Sequence, residues 1–177
     1  LQDSQKAAVI FSRDGVPGTF PFSLANVDTV GGPDVIVSLC WSDRQNQSGV
    51  AGMVEANGAA AAKGTHGALS PFDLHNTLVA MGPDFRRGLR SQVPSGNLDV
   101  PATILHLLGM APAQSLDGRV LIESLRGGED PPPSKTEVLK ASTENWQQHL
   151  RLTKIGDVGY FEEGGAGPAP EPDFERK

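Results

Sequence analysis

The stretch NLDVPATILHLLG, residues Asn97 to Gly109, is the clearest helix in this chain, and its place after several short apolar runs decides the fold class. Asp99 is a plausible N-cap and Pro101 is tolerated in a first turn. Val100, Ile104, Leu107 and Leu108 fall on one stripe at helical spacing. Gly109 suits the position just past a helix end. Upstream, DVIVSLCW (Asp34 to Trp41) reads as a strand buried on both faces, the central strand of a covered mixed or parallel sheet. KAAVIFSR (Lys6 to Arg13) is a second buried strand, stopped by the turn pair Asp14-Gly15. Strands followed by a helix and further strands predict an α/β layered sheet with few helices.

Weaker signals fill the intervals. Thr19 to Val27 alternates, but Pro21 demotes it to an edge or irregular strand. Ser42 to Lys63, rich in glycine and alanine, reads as a mobile loop. NTLVAM (Asn76 to Met81) reads as a strand closed by Gly82-Pro83, and Val120 to Leu125 as a short helix ended by Gly127-Gly128. Leu150 to Phe161 reads as a strand pair turning near Gly156-Asp157. The expected organisation is one α/β domain over residues 1–128, a Pro-rich linker over 129–134, a helix/strand segment over 135–163, and a disordered tail over 164–177.

The composition excludes several function classes. The chain has 177 residues, 38% of them hydrophobic, and Gly 21 with Pro 14 make about a fifth of it. A net charge of -6 argues against nucleic acid, because phosphate contacts need clustered Lys and Arg. No apolar run approaches the ~18 residues of a membrane span. Cys40 is the only cysteine, so no intrachain disulfide exists, and a buried, inert thiol is expected. The sequence does not indicate a compartment. Its start at Leu1 suggests a piece of a longer protein.

Candidate chemistry centres on GTHG, Gly64 to Gly67. The glycines let a loop turn sharply around His66. By residue type His66 is either a loop histidine or a metal ligand, with Asp73, His75 and Asp84 as possible partners. His75 reads as a hydrogen-bonded structural histidine, and His106 and His149 as surface residues. Glu162-Glu163 reads as solvated charge. No nucleophile elbow, P-loop or H-E-x-x-H motif is present.

Several spaced blocks occur together in order: Gly64-Thr65-His66-Gly67, Ser70 to Asn76, Ala80 to Phe85 with Gly88, Pro94 to Leu105 with Leu108-Gly109, and Asp117-Gly118-Arg119. Over roughly Thr65 to Leu125, about a third of the chain, they resemble the C-terminal part of the alkaline phosphatase superfamily. The nearest branches are the type I phosphodiesterase/nucleotide pyrophosphatase and sulfatase-like ones. The resemblance implies the C-terminal portion of an alkaline-phosphatase-like layered mixed sheet. It implies a parent enzyme that hydrolyses small phosphate or sulfate esters at a two-metal site, a divalent metal of the zinc type. It makes His66 the matching metal ligand and leaves Asp99 structural. The 65 residues before His66 lack an Asp-His-Gly, an early Asp motif and an evident nucleophile, and Asp14-Gly15 lacks the histidine. The chain is therefore expected to be inactive alone. The alternative is a non-catalytic interaction domain that associates through an exposed sheet edge.

Overall fold

A computed structural model describes residues 2, 6–27, 29–55 and 67–168 of the chain. It shows a mixed α/β structure, mostly strands, with two short α-helices among the described residues. The chain divides into two compact units. The first comprises residues 1–76, 138–152 and 161–177, and the second 77–137 and 153–160.

The first unit is built on strand β1 (Ala7–Ser12), whose six residues are all buried. It lies between β2 (Phe20–Pro21), parallel to it, and β3 (Val35–Leu39), antiparallel to it. The Asp34 to Trp41 stretch was expected at the sheet centre, but β3 is an edge and only Ser38 in it is buried. An apolar run needs cover on both faces to sit inside a sheet, and here that position falls to β1. Phe11 packs on Phe20 and Phe161 at ring separations of 5.9 and 6.2 Å. Ala8, Val9, Phe22, Leu69 and Leu150 complete the core.

The expected loop after Trp41 is in its described part a hairpin. Strand β4 (Trp41–Gln45) pairs antiparallel with β5 (Ala51–Val54). The turn chemistry explains it. The Asn46 side-chain carbonyl accepts from the Ser48 and Val50 amides at 2.9 and 3.0 Å, and Gly49 takes φ 78°. This is an Asx turn, which asparagine favours. Residues 56–63 of that expected loop lie outside the described residues. The short helix α1 (Pro71–Leu74) follows, capped by Ser70 Oγ, which accepts from the Phe72 amide. Phe72 meets Trp41 edge-on at 6.1 Å.

In the second unit, Asn76 to Met81 forms no strand. Val79 and Met81 are 82% and 94% exposed. A short apolar run becomes a strand only with a ladder partner, and among the described residues it has none. Helix α2 (Asp99–Leu107) matches its expected span, with Gly109 just beyond at φ 64°. Its orientation does not match. Asp99, Ala102 and Thr103 are buried, while Ile104 and Leu108 of the expected stripe are exposed. Val120 to Leu125 contains a single 3-10 turn, Ile122–Ser124.

Three strands form the last sheet, in the order β6 (Ser134–Ser142), β7 (Gln147–Ile155) and β8 (Val158–Ala166). β7 and β8 meet at the expected turn, where Gly156 takes φ 57°. β6 was not anticipated. The expected tail also begins too early, since Gly164 to Ala166 belong to β8 and Gly164 donates to the Leu69 carbonyl at 2.8 Å. Residues 169–177 lie outside the described residues. No described helix is long and apolar enough to cross a membrane.

A side chain completes the central strand's hydrogen bonding. Gln148 on β7 is fully buried, and its amide accepts from Ile10 N–H at 2.7 Å and donates to Ile10 C=O at 3.0 Å. It bonds both main-chain groups of a buried residue on the central strand. Gln148→Ala is expected to destabilise the protein by about 1–3 kcal/mol, the scale of leaving the buried Ile10 N–H without its acceptor. Urea unfolding followed by tryptophan fluorescence measures this.

Candidate functional site

Within the second unit, the resembling blocks from Ala80 onward close onto each other. Gly96 and Asp99 are joined twice: Asp99 N–H donates to the Gly96 carbonyl at 3.0 Å, and Gly96 N–H donates to Asp99 Oδ2 at 2.8 Å. This is the reciprocal bonding of a helix start, with Asp99 reaching back rather than capping forward. Asp99 Oδ1 accepts from Arg119 N–H at 2.9 Å. The Tyr160 hydroxyl lies 3.1 and 3.0 Å from the two carboxylate oxygens. A fully buried carboxylate is tolerable only with such donors. Asp99, expected as structural, occupies that role here.

Arg119 carries the network outward. Its Nε donates to the Tyr160 oxygen at 3.0 Å and its Nη2 to the Pro94 carbonyl at 3.0 Å. It grips Glu123 with two bonds of 2.8 and 2.7 Å, the fork geometry that makes arginine–carboxylate pairs strong. Burial pushes the Glu123 carboxyl up. The hydrogen bonds from Arg119 and from its own backbone amide, with the Arg119 charge, outweigh this and hold it below its ordinary value. The Tyr160 hydroxyl is pushed up to about 12, first by burial and then by the Asp99 charge and hydrogen bond, against the Arg119 charge. Tyr160 is therefore a neutral donor at physiological pH, not an acid/base group.

Other bonds knit the remaining blocks. Thr103 Oγ1 accepts from Leu121 N–H at 3.1 Å. Arg86 N–H donates to Ser124 at 2.9 Å, Arg126 N–H to Asp84 at 2.7 Å, and Phe85 bridges Leu125. The Arg86 guanidinium also donates to the Gly128 carbonyl. Gly118 lies so close to the Leu98 main chain that an added Cβ would overlap it. Among the described residues, no buried side-chain nitrogen or oxygen of this cluster lacks a hydrogen-bond partner, as a well-packed polar framework requires.

Of the metal candidates read from the sequence, Asp73, His75 and Asp84 are among the described residues. His66 lies outside the described residues. His75 Nε2 pairs with Glu162 Oε2 at 2.8 Å, as a structural histidine would, and so Glu162 is an ion-pair partner rather than free solvated charge. Asp73 and Asp84 are exposed. Among the described residues, no three of His, Cys, Asp and Glu gather as a metal site, so these residues alone do not fit a two-metal centre.

The first unit holds the polar groups that sequence reading missed. His149, expected at the surface, is 3% exposed on β7, and Glu163, expected in solvent, is buried on β8. His149 Nδ1 meets the Gly167 carbonyl at 3.0 Å and Nε2 lies 3.5 Å from Glu163 Oε1. A cleft of about 240 Å³ opens beside them, walled by Trp41, Cys40, Ala8 and Pro168. The Cys40 thiol donates to the Ala7 carbonyl at 3.1 Å, and burial, then the Glu55 charge, pushes it up. It remains a protonated, inert thiol, as expected, though only half-buried. Alternation along β7 gave no signal for this, because Gln148, His149 and Leu150 are buried in a row and both faces of the strand are covered there.

No family model, curated protein or solved structure matches this chain.

Two outcomes are expected from the scaffold. Gly118→Ala should cost about 3 kcal/mol or more, because a backbone carbonyl cannot yield to the new Cβ; thermal unfolding checks it. The Glu123 pKa is lower folded than unfolded. Its contribution is therefore complete above the ordinary glutamate value of about 4.3 and is lost as pH falls through the folded value. The stability of Glu123→Gln relative to wild type, measured from pH 7 down to pH 3, should converge on wild type at the acid end.

Proposed function

We propose that this chain is part of a metal-dependent hydrolase of phosphoric or sulfuric esters, to which it contributes a scaffold and one zinc-type ligand, His66. The carrying observation is that the resembling blocks from Ala80 to Leu125 act as one hydrogen-bonded module around Asp99. Blocks that are spaced along a sequence and also interlock are what a shared ancestral scaffold would produce. A bound zinc would supply Lewis acidity and a polarised water or ester oxygen. The residues of this chain would supply position. Asp99, Arg119 and Glu123 hold the module together. The nucleophile and the remaining ligands are assigned to sequence beyond this chain.

A second reading is favoured by one observation. Helix α2 turns Ile104 and Leu108 outward, and Val79 and Met81 of the same unit are exposed. An interaction domain of the same descent would use such apolar surface to associate with a second copy. Light scattering separates the readings: a concentration-dependent dimer supports association.

The hydrolase reading is tested with bis(p-nitrophenyl) phosphate and p-nitrophenyl sulfate. The 177-residue chain is expected to show no turnover. A form extended upstream of Leu1 is expected to turn over at least one of the two with added zinc. His66→Ala in that form should cut kcat/KM by about 100-fold or more, the scale of removing a metal-site group. Full activity in His66→Ala overturns the assignment.

A further inference from the structure

His149 and Glu163 present an unusual pair. The Gly167 carbonyl can only accept, so His149 Nδ1 carries a proton, and in that tautomer of the uncharged ring Nε2 offers its lone pair to a ligand. Glu163 Oε1 is also an acceptor. The two atoms are buried 3.5 Å apart, and neither makes a hydrogen bond to a described residue. Two facing acceptors with no donor among the described residues favour an electrophile between them.

The separation discriminates among electrophiles. A shared proton would draw the atoms to about 2.7–3.2 Å, the ordinary range for such bonds. An ion held by bonds of about 2.0–2.1 Å to each atom would see them at roughly 115°, close to a tetrahedral angle. The second observation is the Nδ1 bond. Metal-binding histidines commonly donate their other ring N–H to a backbone carbonyl, which fixes the ring and its tautomer. Arg151 Nε lies 3.9 Å from Glu163 Oε2, which leaves Oε1 as the single free oxygen. Gly165 gives room: a Cβ there would come within 2.9 Å of His149 Cε1 and 3.2 Å of Nε2.

From these contacts we infer a divalent transition-metal site of the zinc type, with His149 Nε2 and Glu163 Oε1 as its two protein ligands and its remaining positions open to the adjoining cleft. Zinc accepts nitrogen and carboxylate oxygen ligands and keeps open positions where it binds exogenous groups. The apolar walls, Trp41 and Pro168 among them, would favour a small ligand with one coordinating oxygen or nitrogen. Cys40 lines the same cleft, but its proton is engaged by Ala7, and it is not a ligand in this arrangement. The site shares no residue with the reading centred on His66.

The test uses the 177-residue chain, stripped with chelator and titrated calorimetrically with ZnCl2, then with Co2+ for the visible bands of tetrahedral cobalt. One saturable equivalent is expected, with tetrahedral cobalt bands. Glu163→Gln and His149→Gln should weaken it at least tenfold, and His66→Ala should leave it unchanged. Gly165→Ala, which keeps both ligands and crowds Nε2, should also weaken it and guards against a misfolded His149 variant. Circular dichroism monitors the fold of each. Wild-type affinity in Glu163→Gln overturns the site. So does weak, unsaturable uptake, an adventitious ion only, and so does loss confined to His66→Ala, which would return the ion to the hydrolase reading.

Discussion

The carboxylate of Asp99 is the constraint on which the second unit depends. A charge with no exposure to water survives only where donors replace its hydration, and Asp99 has the amides of Gly96 and Arg119 and the hydroxyl of Tyr160. Each donor comes from a different segment. Satisfying one carboxylate therefore fixes the loop before α2, the Asp117-Gly118-Arg119 turn and the start of β8. The consequences spread from there. Arg119, drawn in by its own amide, places a guanidinium between Tyr160 and Glu123. Gly118 has to pass against the Leu98 main chain, where no side chain fits. Asp99 and Thr103 turn inward along α2 with Ala102, and Ile104 turns out.

The first unit uses an apolar core with one polar joint. β1 is buried throughout, and Phe11, Phe20 and Phe22 gather around it. Gln148 reaches that strand as a substitute ladder partner at Ile10. In both units, then, a buried side chain satisfies main-chain groups distant in sequence. Such joints specify a unique packing, because a one-residue slip would strand a buried polar group.

Legibility in the sequence followed the range of the forces. β1, α2 and the Gly156 turn were read correctly because local apolar runs, a glycine end signal and turn chemistry mark them. The β4–β5 hairpin was missed although Asn46 to Gly49 is an Asx turn in plain view, since the glycines after it suggested a loop. The face of α2 could not be read from periodicity. Val100, Ile104, Leu107 and Leu108 make an apolar stripe, yet the buried face is chosen by where Asp99 and Thr103 find donors. His149 and Glu163 were misplaced for a related reason: histidine and glutamate usually seek water, and only the pairing of β7 with β8 brings them together inside.

For function, the resembling blocks divide into parts of different kinds. Asp99, Gly118, Arg119 and Glu123 form a satisfied framework, while His66 is proposed as the chemically active contribution. The framework's dependence on Asp99 is the central claim, and amide hydrogen exchange at Arg119 tests it most directly. In wild type that amide should be protected with the core of its unit. In Asp99→Asn, where the charged acceptor is weakened and the Tyr160 bond must rearrange, its exchange should accelerate at least tenfold, equivalent to about 1.4 kcal/mol or more. Unchanged protection of the Arg119 amide in a folded Asp99→Asn would contradict the account.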